Sequence, residues 1–246
     1  MKKDKETLLE IKELSKTFND SKEKQRVINN ISFSVKKNEF ISIVGPSGCG
    51  KSTLLRLIAG FDNDYTGKIL FNPNIINSQK DVGLVFQNYA LFPWLNVKGN
   101  IAFGLSTNGM KKNNIEKKVN SFLKEIDMLK SSNKYVSQIS GGMQQRVAIA
   151  RTLIIEPKLI LMDEPFGSLD SQTRRQMQKF LLKILKKHKC TIIFVTHNIR
   201  EAVFLSDKVI VLSKEPARIK SIIPTSKVKT ETSRLKLEKR ISSQLL

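Results

Sequence analysis

Short apolar runs, separated by segments with helical spacing, recur along the chain. Residues 31–35 alternate apolar and polar side chains, and Lys37-Asn38 forms a plausible turn into the apolar run at 39–45. Four later runs are rich in β-branched and aliphatic residues: 82–86, 159–162, 191–195 and 208–212. These runs are mostly continuous rather than alternating, which is typical of parallel strands covered on both faces. The pattern predicts an α/β fold with a mainly parallel sheet.

Helical spacing marks the segments between these strands. Residues 144–154 and 115–129 both have it, and the second segment carries the apolar set Ile115, Val119, Phe122, Leu123, Ile126 and Leu129. Residues 177–185 carry an apolar stripe of the kind that faces a protein core. This stripe predicts that the lysines between its members are exposed to solvent, namely Lys179, Lys183 and Lys186.

The predicted elements divide the chain into four segments. Residues 1–87 and 158–224 contain the strands of one α/β core, and 88–157 are predicted as a helical subdomain inserted between them. Residues 225–246 form a basic tail, which is the candidate for a loosely attached segment. Apolar residues of this tail could form one face of a short amphipathic helix: Leu237, Ile241 and Leu245.

Composition excludes several classes of protein. The 246 residues include only two cysteines, Cys49 and Cys190, too few for a disulfide framework or a four-thiolate zinc site. No stretch approaches about 18 consecutive apolar residues, so the sequence predicts no membrane span. The first residues contain no apolar run long enough for a signal peptide, which indicates the cytosol.

The net charge of +21 is compatible with a nucleic-acid partner or an anionic membrane surface. The lysines are distributed along the chain, and no aromatic residues interleave with them as a platform for single-stranded nucleic acid would require. We therefore predict a solvated basic surface and no nucleic-acid partner. The alternative is attraction to anionic lipid, at about 1 kcal/mol per nearby lysine. His188, in a lysine-rich helical segment, is predicted as an ordinary surface residue.

A phosphate-binding loop is the strongest motif in the sequence. Residues 45–52 match G-x-x-x-x-G-K-[ST] directly after an apolar run and before a helical pattern. Glycines are needed because consecutive backbone N–H groups must wrap closely around a polyphosphate. The dipole of the following helix favours the same anion. We expect Lys51 to reach the β- and γ-phosphates and Ser52 to bind Mg²⁺, with Cys49 as a small filler.

A carboxylate pair follows one of the predicted strands. Asp163 and Glu164 come directly after the apolar run 159–162, at the edge of the sheet where open α/β folds bind ligands. Asp163 can hold the water shell of Mg²⁺, and Glu164 can polarise a water for in-line attack on the γ-phosphate. Next to a phosphate-binding loop, the pair predicts hydrolysis of that phosphate.

A third motif, at 140–146, resembles the signature of the ATP-binding-cassette (ABC) ATPases, usually Leu-Ser-Gly-Gly-Gln. Here Ile139 stands in place of the leucine and Met143 in place of the glutamine. Other landmarks of the family also match: Gln87 of the Q-loop, Ser168-Leu169-Asp170 of the D-loop, the switch histidine His197 and the adenine-stacking aromatic Phe18. The resemblance covers roughly residues 8–224. It implies a P-loop NTPase fold with a mainly parallel sheet, an N-terminal antiparallel β part and an inserted helical subdomain.

The same resemblance implies ATP hydrolysis, with ATP and Mg²⁺ as cofactors. The catalytic residues would be Lys51, Gln87, Glu164 and His197. The nucleotide would contact Phe18, Gly45, Pro46, Ser47, Gly48, Cys49, Gly50, Lys51, Ser52, Thr53, Ser140, Gly141, Gly142 and Asp170. Mg²⁺ would be held by Ser52, Gln87 and Asp163.

Partners are implied as well. In this family the signature of one copy completes the phosphate site of another, so the resemblance implies a head-to-tail homodimer. A single cassette without a membrane span resembles the separate ATPase subunit of a bacterial importer, peripheral to the cytoplasmic face of the inner membrane. Residues 88–105, which include Phe92, Pro93, Trp94 and Leu95, would contact the transmembrane permease subunits. A periplasmic or lipid-anchored solute-binding protein would complete the system.

Four stretches are most similar to the nitrate/sulfonate/taurine importer subfamily: 91–105, 140–151, 162–174 and 195–219. Importers of a thiamine precursor or of riboflavin are alternatives, because the ATPase does not touch the cargo. A soluble ABC ATPase acting on ribosomes or DNA, favoured by the positive charge, is a further alternative. So is another phosphate-loop enzyme, such as a small-molecule kinase.

Overall fold

The computed structural model describes residues 6–19, 24–78, 81–106, 110–226 and 230–245. The strands are β1 (Thr7–Asn19), β2 (Lys24–Lys36), β3 (Phe40–Val44), β4 (Thr66–Phe71), β5 (Val82–Val85), β6 (Leu159–Asp163), β7 (Thr191–Thr196), β8 (Lys208–Leu212) and β9 (Ile219–Pro224). The helices are α1 (Lys51–Ile58), α2 (Val97–Ser106), α3 (Lys112–Glu125), α4 (Gly141–Leu153), α5 (Ser171–His188), α6 (Ile199–Leu205) and α7 (Glu231–Leu245). Short 3₁₀ helices lie at Leu129–Ser131 and Val136–Gln138.

The main sheet has the strand order β5-β6-β7-β3-β8-β9. All of its neighbouring strands pair in parallel except β8 and β9, which are antiparallel. Every residue of β3 and β7 is buried, because helices or the second sheet cover both faces. The prediction of a mainly parallel sheet from continuous apolar runs is therefore confirmed.

A second, antiparallel sheet has the order β2-β1-β4 and was only partly indicated by the apolar pattern. Its inner face packs with α1 against the main sheet in one apolar cluster that includes Leu9, Ile31 and Leu54. The opposite face of the main sheet packs on α2, α4 and α5 through residues such as Ile101, Leu153 and Leu181.

Helices α2, α3 and α4 follow β5 and precede β6, where the helical insert was predicted. Helix α3 ends at Glu125 rather than at 129, because Asp127 takes a left-handed backbone conformation with φ of 58°. Leu129 then lies 43% exposed. Helix α4 begins three residues before the predicted start, because Ser140 caps it. The boundaries of a separate helical subdomain at 88 and 157 stay a prediction.

The basic tail is not loosely attached where the structure describes it. Helix α7 buries Ile241 completely against α6 and β8, with Leu237 and Leu245 partly buried beside it. The expectation of a loose appendage is wrong for this part, and the amphipathic helix is confirmed. Residues 227–229 and 246 of the tail lie outside the described residues. Among the described helices, none is both long and apolar enough to cross a membrane.

Side chains on α5 follow the predicted stripe. Lys179, Lys183 and Lys186 are exposed, as expected. The prediction for His188 is wrong, because its side chain is only 18% exposed and its Nε2 lies 2.8 Å from Glu125 Oε1. Its ring also lies 5.3 Å from the ring of Phe122, so His188 joins the end of α5 to α3.

Candidate active site

The phosphate-binding loop connects the buried central strand β3 to α1. Gly48 and Gly50 take left-handed backbone conformations, with φ of 76° and 101°, which glycine adopts without steric cost. A Cβ at Gly50 would also lie 2.8 Å from Val27 Cγ1. The side chain of Cys49, within the loop, is buried, and burial raises the pKa of its thiol. The loop therefore has the curvature that the sequence motif predicts.

Lys51 begins α1 and reaches back across this loop. Its side chain is buried, and its Nζ donates to the carbonyl oxygens of Gly45 (3.0 Å) and Pro46 (2.8 Å). The ammonium group is thus held beside the N–H groups of the loop, at the N-terminus of a helix. The ammonium group, the loop N–H groups and the helix N-terminus all favour an anion at this position.

Ser52 and Asp163 meet although 111 positions separate them in the chain. Asp163 is the last residue of β6, and its Oδ1 accepts a hydrogen bond of 3.0 Å from Ser52 Oγ. Burial raises the pKa of the Asp163 carboxyl. A hydroxyl and a carboxylate oxygen at this distance form a pair of hard oxygen donors.

Glu164 and His197 also contact each other. Because β6 and β7 are parallel neighbours, the residues that follow them leave the sheet at the same edge. The Glu164 N–H donates to Val195 O (2.9 Å), and Glu164 Oε2 lies 2.8 Å from His197 Nδ1. Glu164 has a positive φ of 42°, unusual for a residue with a side chain. His197 has 62% of its side chain exposed, so its second nitrogen is accessible.

An open cleft of about 440 Å³ lies over the loop. Its described lining includes Phe18, Ser47, Gly48, Gly50, Lys51, Ser52, Thr53, Gln87 and Glu164. Asp163 contacts the lining residue Ser52, and His197 contacts the lining residue Glu164. Gly45, Pro46 and Cys49 belong to the loop but do not line the cleft. Phe18 lies at the rim, 42% exposed.

Sequence reasoning missed three lining residues, Gln25, Val27 and Glu215. Gln25 pairs with Phe18 across the β1–β2 hairpin, so recognition of that hairpin would have indicated it. Glu215 comes from the connection between β8 and β9, and no pattern in the sequence indicates it.

The glycine-rich motif at 140–142 does not line the cleft of its own chain in the part that the structure describes. Ser140 caps α4 and accepts a hydrogen bond of 3.4 Å from Met143 N, and Ser140 and Gly141 are exposed. Asp170 caps α5, accepting from Gln172 N and Thr173 N at 3.0 Å, and the hydrogen bond from Thr173 lowers its pKa. Both helix starts are therefore exposed and separate from the phosphate loop.

A sequence profile described as ABC transporter matches residues 28–167. The chain belongs to the ABC transporter family. An uncharacterized ABC transporter ATP-binding protein of Methanocaldococcus jannaschii is 47% identical over 216 residues, which cover 87% of this chain and 81% of that protein. The aliphatic sulfonates import ATP-binding protein of Bacillus cereus is 41% identical over 239 residues, 95% of this chain and 94% of that protein.

A solved structure supports the same assignment. It is a dimeric ATP-binding cassette in a post-hydrolysis state, bound to ADP and Pi. Its sequence is 30% identical to this chain, and the two superpose with a TM-score of 0.76 over 89% of this chain and 99% of that chain. The predictions of an ABC ATPase fold and of an ATP-hydrolysing enzyme are thereby confirmed.

This ABC ATPase exposes an aromatic patch, defined here as Phe92, Trp94 and Phe103. The ring of Phe92 lies 5.4 Å from that of Trp94 and 4.4 Å from that of Phe103. Trp94 is 71% exposed. Beneath the patch, the buried amide of Asn100 accepts from Phe92 N and donates to the carbonyls of Phe92 and Leu95. Asn100 thus holds the backbone on both sides of the exposed tryptophan.

The segment before this patch is held by a side chain of α4 and by one that follows β6. Tyr89 Oη lies 2.7 Å from Ser168 Oγ, and the guanidinium of Arg151 donates to the carbonyls of Tyr89 (2.9 Å) and Ala90 (2.6 Å). Gln87, two residues earlier, lines the cleft. A continuous segment therefore connects the cleft to the aromatic patch.

Proposed function

We propose that this ABC ATPase is the ATP-hydrolysing subunit of a membrane importer and that it acts as a head-to-tail pair. The observation that carries the proposal is the convergence of Lys51, Ser52, Gln87 and Glu164 on one cleft at the carboxyl edge of the parallel sheet. Import is supported by the printed name of the relative from Bacillus cereus.

Lys51, Gln87, Glu164 and His197 are proposed as the catalytic residues. Lys51 would stabilise negative charge on the β- and γ-phosphates, because its ammonium group is already held at the loop. Glu164 would accept a proton from the attacking water. The 2.8 Å contact with His197 would orient the Glu164 carboxylate and leave the second imidazole nitrogen free for the γ-phosphate. Gln87, which lines the same cleft, would help to position the water.

The remaining nucleotide contacts are proposed for the residues named from the sequence. The phosphates would lie on the backbone of residues 45–53, and adenine would stack on the exposed ring of Phe18. Ser52, Asp163 and Gln87 would hold Mg²⁺, since their hydroxyl, carboxylate and amide oxygens are the donors this ion prefers. When bound, Mg²⁺ would neutralise charge on the phosphate oxygens.

A second copy of the chain would supply Ser140, Gly141 and Gly142. In the described part of one chain this helix start is exposed and lies outside the cleft, although its N–H groups and hydroxyl suit a phosphate. Asp170 would contact the nucleotide or the partner copy near the same boundary. The solved dimeric relative bound to ADP and Pi supports pairing.

The permease subunits would bind residues 88–105, where the aromatic patch is exposed. Aromatic side chains that are held in place lose little entropy on binding, which makes them effective contacts between proteins. This contact would hold the ATPase peripherally at the cytoplasmic face of the membrane. A solute-binding protein on the other side would deliver the cargo.

For the cargo, we propose a sulfonate-like solute, because the relative from Bacillus cereus is named as an aliphatic sulfonates import protein. The chain itself would not touch this cargo. Growth tests would check it: cells that lack the chain should fail to use taurine or an alkanesulfonate as sole sulfur source and should grow normally on sulfate. Equal growth on all three sulfur sources would contradict the sulfonate assignment.

Membrane fractionation tests the importer proposal. The chain should sediment with membranes that contain its permease and should be released when Trp94 is replaced by alanine. Replacement of the exposed Phe61, 64% exposed and outside the patch, is the matched control and should leave sedimentation unchanged. Recovery with ribosomes or DNA instead would favour a soluble ABC ATPase.

A further inference from the structure

A buried carboxylate lies behind the candidate active site, outside the cleft. Glu201 is only 5% exposed, and burial raises the pKa of its carboxyl. Its Oε2 accepts from Thr196 Oγ1 (2.8 Å), and its Oε1 accepts from Gln178 Nε2 (3.2 Å). The same Oε1 lies 3.6 Å from Arg174 Nε. A carboxylate buried this deeply persists only when it is paired and hydrogen-bonded.

Arg174 contacts the segment that follows Glu164. Its Nε donates to Phe166 O (3.3 Å), and its Nη2 donates to Leu169 O (2.7 Å). One guanidinium therefore holds two carbonyl groups between Glu164 and Asp170 and pairs with the Glu201 carboxylate. The planar arrangement of guanidinium donors suits such a set of partners, and lysine could not reproduce it.

Thr196 connects the same carboxylate to the other side of the site. It is the last residue of β7 and directly precedes His197. Its Oγ1 donates to Glu201 and also accepts from Asn198 N (3.0 Å), while Asn198 Oδ1 accepts from Glu201 N (3.3 Å). The residues on both sides of His197 are thus bound to Glu201.

We infer that Arg174 and Glu201 are positioning residues that fix the 164–170 segment relative to the segment 196–198, and thereby hold Glu164 against His197. This inference rests on the proposed function, because it assigns the pair a purpose in ATP hydrolysis. Neither side chain lines the cleft, so each acts through the segments it holds. The Tyr89–Ser168 contact restrains the same segment from the side of Gln87.

A second ion pair provides a matched control. Glu39 and Lys208 lie 3.2 Å apart, with side chains 13% and 18% exposed, at the opposite edge of the same sheet. Glu39 precedes β3 and Lys208 begins β8, whereas the site follows the other ends of these strands. Loss of this pair would weaken folding without moving Glu164 or His197.

The test compares Arg174→Lys, Thr196→Val and Glu39→Gln with the unchanged chain. Arg174→Lys keeps the positive charge and removes the planar set of guanidinium donors. It should lower kcat about tenfold and leave the ATP dissociation constant within about twofold of that of the unchanged chain. Thr196→Val removes the hydrogen bonds of the hydroxyl to Glu201 and Asn198 at nearly constant shape but leaves Arg174 in place, and should lower kcat less, by about threefold. Glu39→Gln should lower the thermal midpoint and leave kcat unchanged.

Two further measurements separate the outcomes. The double variant Arg174→Lys/Thr196→Val should be less impaired than the product of the single effects, because both act through Glu201. If Arg174→Lys lowers kcat no more than Glu39→Gln at equal folded fraction, the positioning inference is wrong while the proposed function stands. If the unchanged chain binds ATP but does not hydrolyse it with its partner copy and permease, the proposed function fails, and the inference fails with it.

Discussion

At the scale of single residues, Lys51 is expected to determine nucleotide affinity. Replacement by alanine removes a buried ammonium group that is already held at the phosphate loop by two carbonyls. A charge-assisted contact contributes about 1.5–3 kcal/mol, so affinity should fall about 10- to 100-fold. Titration with a fluorescent ATP analogue measures it. Lys12→Ala, which removes an exposed lysine paired with Glu10, should leave the affinity unchanged.

Glu164 is expected to affect hydrolysis rather than binding. Glu164→Gln keeps the shape of the side chain and removes the base, so turnover should fall about 10²- to 10⁴-fold while ATP still binds and traps the dimer. Single-turnover hydrolysis and size-exclusion chromatography with ATP measure the two effects. Glu10→Gln, at an exposed position on β1, is the control. Normal turnover by Glu164→Gln would remove this residue as the catalytic base.

The residues of the site differ in how readily the sequence indicates them. The phosphate loop and the carboxylate pair Asp163-Glu164 are contiguous, so a motif describes their chemistry in one stretch. Glu201 and Glu215 have no such signal, because their significance depends on partners distant in the chain. The prediction for His188 is wrong for the same reason, because its partner Glu125 is 63 positions away.

At the scale of elements, the apolar pattern predicted the strands that are buried on both faces and missed others. β3, β6 and β7 are continuous apolar runs because the sheet is covered on both faces. β4 is mostly exposed or half-buried along its length and gives no such run. The attachment of α7 depends on the apolar surface of α6 and β8, which the sequence of the tail does not contain.

The contact between α3 and α5 is expected to depend on pH. Burial acts to raise the pKa of Glu125, but hydrogen bonds from Lys187 and His188 outweigh it, so the pKa is lowered from 4.5. A carboxyl with a lowered pKa stabilises the fold above its unfolded pKa, and this contribution is lost as pH falls through the folded value. Glu125→Gln should therefore lower the free energy of unfolding by about 1–2 kcal/mol at pH 7.

Urea unfolding at pH 7 and at pH 3 measures this difference. The gap between Glu125→Gln and the unchanged chain should be smaller at the lower pH, because protonation of the Glu125 carboxyl increases as the pH falls toward its lowered pKa. The exposed Glu10→Gln variant should differ little from the unchanged chain at either pH, since surface ion pairs contribute little. An equal gap at both pH values would show that the Glu125 contacts act through shape rather than charge.

At the scale of the whole molecule, the residues proposed for the nucleotide site lie on two separate surfaces of the described chain. One surface carries the cleft with Lys51 and Glu164, and the other carries the exposed start of α4 at Ser140. The two surfaces do not meet within one described chain, and a single chain in this conformation cannot bring them together. Two copies related by twofold symmetry can, because each then presents both surfaces to the other.

Mixing two inactive variants tests this arrangement. Lys51→Ala loses the phosphate contact of the cleft, and Ser140→Arg blocks the exposed helix start, so each variant alone should hydrolyse ATP poorly. A mixed dimer pairs the intact Lys51 of one copy with the intact Ser140 of the other, which restores one of its sites. Because half of the dimers in an equal mixture are mixed, about a quarter of the normal rate should return. A mixture of Lys51→Ala and Glu164→Gln is the control and should recover no activity, since both changes lie in the same cleft. Recovery of activity in this control would contradict shared sites. So would a lack of recovery in the mixture of Lys51→Ala and Ser140→Arg.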